Sequence, residues 1–545
     1  MSPPHRTTLG LDASTQSLSA VLLNADTGET LWTRSLAYRD DPRLNGYGFE
    51  HDTLIIPPRE AGEAEQPPRM FIAALDAILS DLQASGQDIA AIAAINTSGQ
   101  QHGHVYLNAE ADKAFKKLRE GGEVDTPLVR RLSDVFAYGG APIWKTANTE
   151  KEAADIRTRV GGKAAIIERT GSDMPLRFSV AAHRKIAQRY PDAYAATRHI
   201  LQISSLIPAV LAGDCAIPID FGSGCGTGAM NYRSRVWDVT VLDAAARDLP
   251  GGPGGLAAKL PPIAHPLAAV GRIARYFQEK FGFSADCKII AGSGDNPQSK
   301  VLAVGDLLSL GTSFVYMIAT PDGKVDATGT ANAMYDALGR PFNFGCRTNG
   351  ALTWDRLRKL HGLGAKDYAA CDAALASTPS GSRLRFWHPD SESFPIIAAN
   401  PEVVRLDDGA ADFANDYAAV VDSSLGLVYR YGMKIGGCSA DDAPVSVCGG
   451  PSTSREIMQR IAAIWNRPAI QAGQAGAALG AAVAAAVALV PEAQAAERDA
   501  VAEKLRAALY VNCAVVQPDP ERVRRYHAPG AFLDQLESAF EKLRA

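Results

Sequence analysis

Five short segments of this chain carry residue types that bind anions or polyols, or that move a proton. Two of them are turns rich in hydroxyls: Asp12-Ala-Ser-Thr-Gln-Ser17 and, about 300 residues later, Gly311-Thr312-Ser313. A tight turn of small residues exposes successive backbone N–H groups, and side-chain hydroxyls add donors, so such a concavity binds phosphate without a lysine. Asp12, beside the first turn, is placed to hold Mg²⁺ through water, because that ion keeps much of its hydration shell. Each turn is also an ordinary β-hairpin with Ser and Thr suited to its chemistry. The pairing points to phosphate: two such hairpins facing each other across a cleft would hold the terminal phosphates of a nucleotide.

The third segment, Ala291-Gly-Ser-Gly-Asp-Asn296, follows the apolar run Lys288–Ile290. A carboxylate on a glycine-flanked turn at a strand's end is placed to take a proton from a hydroxyl. The alternative is that Asp295 caps a helix beginning near Pro297. The fourth, Ser98-Gly-Gln-Gln-His-Gly103, clusters two amides and an imidazole between glycines, suited to a polyhydroxylated ligand or to simple turn structure. The fifth, Val445-Ser-Val-Cys-Gly-Gly450 followed by Pro451-Ser-Thr-Ser-Arg-Glu456, is an apolar strand that ends in two glycines before a capped helix. Glycines there let a flat ring or ribose approach the backbone, and they equally let strand pack on helix.

Other phosphate signatures fail. The nearest approach to G-x-x-x-x-G-K-[ST], Gly161-Gly162-Lys163-Ala164, lacks the first glycine and the hydroxyl. The run Gly222-Ser-Gly-Cys-Gly-Thr-Gly228 has the wrong spacing for a dinucleotide fingerprint and reads as a mobile loop over the active site. No H-R-D with a downstream D-F-G occurs, which excludes a kinase of the protein-kinase type.

The elements that position these segments read as strand-rich. Thr8–Asp12, Ser19–Asn24 and Glu29–Leu36 form a meander reversing at Thr27-Gly28, Met70–Ala84 has helical spacing, and Ile89–Ile95 is a further strand. The same strand, hydroxyl turn, strand and reversal recur over Asp306–Leu310, Gly311–Ser313, Phe314–Ala319 and Asp322-Gly323. Recurrence at this distance predicts duplicated α/β domains with mixed sheets. The segment Leu249-Pro-Gly-Gly-Pro-Gly-Gly255, with Pro261-Pro262 after it, places the crossing near residues 250–270, giving domains of 1–262 and 263–545.

At 545 residues the chain suits two large domains, and its net charge of −5, with signs mixed along the sequence, offers nucleic acid no basic stripe. The N-terminus, Met1-Ser-Pro-Pro-His-Arg6, lacks the pattern of an export signal. Eight cysteines without any C-x-x-C spacing give no zinc or redox motif and fit free thiols in a reducing cytoplasm. Ala475–Val490 is apolar but too short and alanine-rich to span a membrane, so it is read as a buried helix. The amphipathic tail, Ala531–Phe540, packs on its own domain or on a second subunit of a homodimer.

Taken together and in order, the five segments resemble the motifs of the FGGY carbohydrate kinases, most closely those of the branch acting on xylulose. Leu9–Gln16 is similar to the family's first phosphate motif, Ser98–Gly103 to its sugar segment, and Gly294-Asp-Asn296 to its catalytic-base motif. Leu308–Ser313 is similar to the second phosphate motif and Cys448–Glu456 to the adenosine motif. The resemblance implies two actin-like domains around a cleft, with ATP and Mg²⁺ used to phosphorylate D-xylulose, or another sugar such as ribulose. It implies Asp295 as general base, Gln101, His102, Arg177 and Asn296 on the sugar, and Asp12 on the metal. Thr15, Gly311, Thr312 and Ser313 would line the phosphates, and Gly449, Gly450 and Ser454 the adenosine. Pro451 stands where the family usually has a third small residue, and Ile143–Thr146 lacks the acidic residue that many members present to the sugar.

Overall fold

The computed structural model describes residues 6–303, 305–364, 366–436, 443–472 and 476–544. Residues 1–5, on which the reading of the N-terminus rests, and Ala475 lie outside the described residues. The chain divides into two units: Met1–Leu302 with Met334–Arg340 and Gly476–Leu509, and Ala303–Ala333 with Pro341–Ala475 and Tyr510–Ala545.

In the first unit, β1 (Thr7–Ala13), β2 (Ser17–Asn24) and β3 (Thr30–Ala37) form an antiparallel meander. On the other side of β1 lies β4 (Ile92–Gly99), parallel to it. Beyond it, β5 (Ala269–Arg272) is the edge strand, antiparallel to β6 (Lys288–Ile290), which in turn runs parallel to β4. Central β1 is almost continuously buried, as a strand covered on both faces must be.

Alternation along β1 decides what each face meets. Leu9, Leu11 and Ala13 join a core with Leu18, Phe71, Leu75 and Ile78, the last three from the helix Pro68–Ala84. Thr8 and Gly10 face the helix Ala477–Ala488: Thr8 Oγ1 donates to the Ala482 carbonyl at 2.9 Å. A Cβ on Gly10 would stand 1.9 Å from the Ala478 carbonyl oxygen, so only glycine admits this helix. The alanine-rich stretch is therefore the buried helix its composition implies. Asp12, two residues beyond Gly10, takes the same face of the sheet.

The second unit repeats the plan. β7 (Leu307–Leu310), β8 (Phe314–Ala319) and β9 (Pro341–Arg347) form the meander. β10 (Val445–Cys448) lies parallel to β7, β11 (Ala469–Gln471) parallel to β10, and β12 (Val515–Val516) antiparallel to β11. Six strands thus recur with the same order and the same directions. The tail helix Phe532–Arg544 buries Phe532, Leu533, Leu536 and Phe540 in the core of this unit, with Tyr417, Val421 and Ile461.

Two boundaries differ from the sequence reading. The first unit does not end at 262. Residues 263–302 complete its sheet through β5 and β6, and Ser293–Gly294 pairs with β4. The Pro/Gly-rich segment is a local turn entering the short helix Gly252–Ala257, which buries Leu256. The fourth strand starts at Ile92, because Ile89–Ala91 is a single helical turn whose Ala91 N–H donates to the Asp88 carboxylate at 3.3 Å.

Candidate active site

β1 and β4 run parallel with Asp12 opposite Ser98, so the two chain exits carrying the first and fourth segments lie side by side. The third segment reaches the same place because Ser293–Gly294 pairs with Ser98–Gly99. Asp295 is the first residue of the helix Asp295–Lys300, and its half-buried carboxylate receives three donors on Oδ1. These are Asn296 N at 2.8 Å, Asn296 Nδ2 at 3.1 Å and the Gln101 backbone N at 3.3 Å. Burial pushes the Asp295 carboxyl up to about 7, the nearby Asp12 charge adds to this, and the backbone donors oppose it. Asp12 itself is pushed up by burial to about 6. A carboxylate poised at this value can accept a proton near neutral pH.

His102 holds a left-handed backbone, φ 70°. Its ring stacks on Phe178 with centroids 4.9 Å apart and 28° between planes, and Nδ1 lies 2.7 Å from the Gly226 carbonyl. Burial, followed by the charge of Arg177, pushes its pKa down to about 3. The ring is therefore neutral, and the carbonyl at Nδ1 fixes the tautomer that leaves Nε2 an acceptor. Beside it Gln101 Nε2 donates to the Gly222 carbonyl at 3.3 Å, while its buried Oε1 has no partner. The structure thus brings Asp12, Gln101, His102, Arg177, Asp295 and Asn296 together, with acceptors and donors both presented.

The glycine run at 222–228 is not an exposed loop. It is buried throughout and opens with the short helix Phe221–Cys225, capped by Asp220, which accepts from Gly222 N at 2.8 Å and Ser223 N at 2.9 Å. A Cβ on Gly226 would stand 2.8 Å from Gln101 Nε2 and 3.1 Å from His102 Nδ1. These glycines form the wall against which the polar residues rest, and close approach explains them. Sequence reasoning set this run over the active site as a mobile loop and missed its burial, and it missed the stacking of Phe178 on His102.

Thr15 is held differently from its neighbours. Its hydroxyl donates to Gln100 Oε1 at 3.0 Å and accepts from Trp144 Nε1 at 2.8 Å. With its one proton committed, the hydroxyl is part of the protein's own network.

In the second unit the turn Gly311–Ser313 joins β7 to β8. Gly311 N donates to the Ser313 carbonyl at 3.2 Å, and the Gly311 carbonyl accepts from Ala351 N at 3.0 Å, at the start of the helix Ala351–Leu360. Gly449 ends β10 at φ 96°, so close that a Cβ would stand 2.3 Å from the Leu310 carbonyl oxygen. The second and fifth segments are therefore adjacent. Ser454 caps the helix Arg455–Trp465, accepting from Ile457 N at 3.3 Å, and its hydroxyl donates to Asp372 at 2.5 Å. A cavity of about 400 Å³ opens here, lined by Gly450, Pro451, Ser454, Arg358 and Tyr368. The Arg358 guanidinium lies 4.7 Å from the centre of the exposed Tyr368 ring. No motif marks Arg358, Tyr368 or Asp372, and the sequence reading lacks them. A larger cavity of about 800 Å³ in the same unit, lined by Phe394, Ile397, Tyr431 and Lys434, contains none of the expected residues.

Residues 139–302 match the N-terminal domain of the FGGY family of carbohydrate kinases. The probable D-xylulose kinase A of Aspergillus flavus is 30% identical over 410 residues, spanning 73% of this chain and 69% of that protein. The chain belongs to the FGGY family of carbohydrate kinases. Like xylulose kinase from Rhodospirillum rubrum (TM-score 0.78, 17% identical, 99% of each chain covered), this FGGY kinase has the family's two-domain actin-like fold. Gluconate kinase from Lactobacillus acidophilus shares that fold as fully, at a TM-score of 0.76 and 20% identity over 99% of each chain.

As a carbohydrate kinase, the protein uses ATP and a sugar. Among the described residues no helix is long and apolar enough to cross a membrane. The site around Asp12 fits a hard divalent cation: Oδ1 of this half-buried carboxylate is itself out of contact with water and has no hydrogen-bond partner.

Proposed function

We propose that this kinase transfers the γ-phosphoryl group of ATP to D-xylulose, giving D-xylulose 5-phosphate and ADP in the cytoplasm. The observation that carries the reading is the Asp295 carboxylate, raised to about 7 and oriented by three donors on one oxygen, beside neutral His102. The sugar hydroxyl attacks the γ-phosphorus, the bond to the ADP oxygen breaks, and the hydroxyl proton passes to Asp295. The Nε2 of His102 and Oε1 of Gln101 accept from sugar hydroxyls, whereas Arg177 and Asn296 donate. Backbone N–H groups at Thr15, Thr312 and Ser313 meet the phosphates, the Gly311 N–H being held by the Ser313 carbonyl. Gly449, Gly450 and Ser454 line the adenosine, with Tyr368 stacking on its ring. Mg²⁺, held by Asp12 through water, would neutralise phosphate charge. Little covalent chemistry is asked of the protein, so positioning and charge neutralisation suffice.

Xylulose is favoured by the relative that bears its name. A different sugar is the second reading, favoured by the absence of an acidic residue over Ile143–Thr146 and by the fold shared with a gluconate kinase. The two separate on kcat/KM for D-xylulose, D-ribulose, gluconate and glycerol, since buried polar groups read hydroxyl stereochemistry strongly. D-Xylulose is expected to lead; a lead for any other compound moves the substrate while keeping the chemistry.

Three further outcomes follow from the geometry. Because only ionised Asp295 accepts a proton, kcat/KM for the sugar rises with pH through about 7 and levels above it. A flat profile from pH 5 to 9 would remove Asp295 as the titrating base. His102→Ala raises the sugar KM by roughly tenfold, the size of one buried hydrogen bond, with the ATP KM little changed. Equal effects on both would contradict a sugar-side role. Tyr368→Ala raises the ATP KM by about three- to tenfold, as the loss of one ring stack predicts, and spares the sugar KM.

A further inference from the structure

Asp112, His199 and Cys215 bring one oxygen, one nitrogen and one sulfur ligand within 4.8 Å of one another, sharing no residue with the site around Asp295. Asp112 Oδ1 lies 2.8 Å from His199 Nε2 and 3.1 Å from Cys215 Sγ. Three separate elements supply them. Asp112 stands in the first turn of the helix Glu110–Glu120, and His199 on the strand Thr197–Gln202, opposite Leu107 of the strand His104–Asn108. Cys215 follows the helix Ile203–Ala212, whose C-cap Gly213 turns the chain at φ 66°. The loop is pinned, since Asp214 accepts from Ala216 N at 2.9 Å and pairs with Arg119 of the Asp112 helix at 3.1 Å.

We propose that this triad binds a borderline-soft divalent cation of the Zn²⁺ class. Around a tetrahedral ion with Zn–S of ~2.3 Å and Zn–N or Zn–O of ~2.0–2.2 Å, ligand atoms stand roughly 3.3–3.6 Å apart. The two separations from Asp112 need widen by only about half an ångström, while His199 Nε2 and Cys215 Sγ already lie within 4.8 Å. The mixed donor set selects the metal: Mg²⁺ takes oxygen alone, and Cu(I) prefers sulfur throughout. Cys215 is buried, His199 is 18% exposed and Asp112 49% exposed, so the fourth position opens to water on the Asp112 side. Binding replaces the thiol proton with a sulfur–metal bond and releases that proton to solvent; no electron moves. The ion would clamp a helix, a strand and a loop of one unit. The ligands are spread over residues 112, 199 and 215, which is why no zinc motif appears in the sequence.

Co²⁺ tests this in the full-length protein, stripped of metal by chelator and carrying no affinity tag. One equivalent is expected to produce a thiolate-to-Co²⁺ charge-transfer band in the near ultraviolet, which Zn²⁺ abolishes by displacement. Cys215→Ala should remove the band, and His199→Gln should weaken Co²⁺ binding by at least the roughly 10- to 100-fold that loss of an outer-shell partner alone costs. Co²⁺ held at Asp12 gives no such band, because that residue offers only oxygen. Absence of the band in the unmodified protein, or its persistence in Cys215→Ala, would overturn the proposal.

Discussion

Asp295→Asn is expected to lower kcat by about 10²- to 10⁴-fold, the range spanned by a positioned general base. The substitution is nearly isosteric. All three donors meet Oδ1, so an amide oxygen there keeps the contacts with Asn296 and the Gln101 backbone while losing the basic oxygen. The ATP KM should be little changed, because Gly449, Gly450 and Ser454, proposed for the adenosine, belong to the other unit. The variant should also melt at a higher temperature. Folding raises the Asp295 pKa from 3.8 to about 7, so the folded state binds the proton more tightly than the unfolded chain. Wild-type stability therefore falls as pH rises from about 4 to about 7, a loss the amide escapes. The gain in melting temperature should grow across that window and stay constant above it. Wild-type turnover in the variant would remove Asp295 from the chemistry.

Gly449→Ala should damage both the second unit's stability and the proposed nucleotide site. At φ 96° and ψ 165° the backbone occupies a region open essentially to glycine, where another residue costs of order 1–3 kcal/mol. The new Cβ would stand 2.3 Å from the Leu310 oxygen and 2.7 Å from its carbon, backbone atoms that cannot rotate away. Relief requires β10 to part from the end of β7, which displaces the Gly311–Ser313 turn. The melting temperature should fall by roughly 4–10 °C, and ATP affinity by tenfold or more. Gly450→Ala is the matched comparison, since nothing lies within 4 Å of its Cβ position. That variant should fold normally and lose affinity only where a nucleoside packs on the backbone. Calorimetric titration of ATP into both variants, with a thermal melt of each, checks the pair. Unchanged ATP binding in Gly449→Ala would detach the turn from the nucleotide.

Local chemistry was legible in the sequence and long-range assembly was not. The hydroxyl turns at 12–17 and 311–313 disclosed a duplication because each turn type is written in consecutive residues, and the structure extends that recurrence to six strands. Asp295 and Gln101 were each legible in their own segments. Their contact spans 194 residues and is made by the pairing of Ser293–Gly294 with β4, which no local pattern announces. The domain boundary was misplaced for a related reason. Proline and glycine mark turns, whereas unit membership is decided by which sheet a strand completes, so β6 and the helix Ala477–Ala488 both belong to the first unit. The run at 222–228 misled in the opposite sense: glycine serves close packing as readily as exposed turns, and only the neighbours Gln101 and His102 distinguish the two. Arg358 and Tyr368 line the cavity beside Gly450 and Ser454 and leave no signature in their own segments.

The most direct test of the central claim is ADP release from Mg-ATP with and without D-xylulose, with the sugar product identified by ³¹P NMR. Negligible ADP is expected without sugar, and with it equimolar ADP and D-xylulose 5-phosphate. ADP released at the same rate without sugar, or bound ATP with no turnover on any sugar, would contradict it.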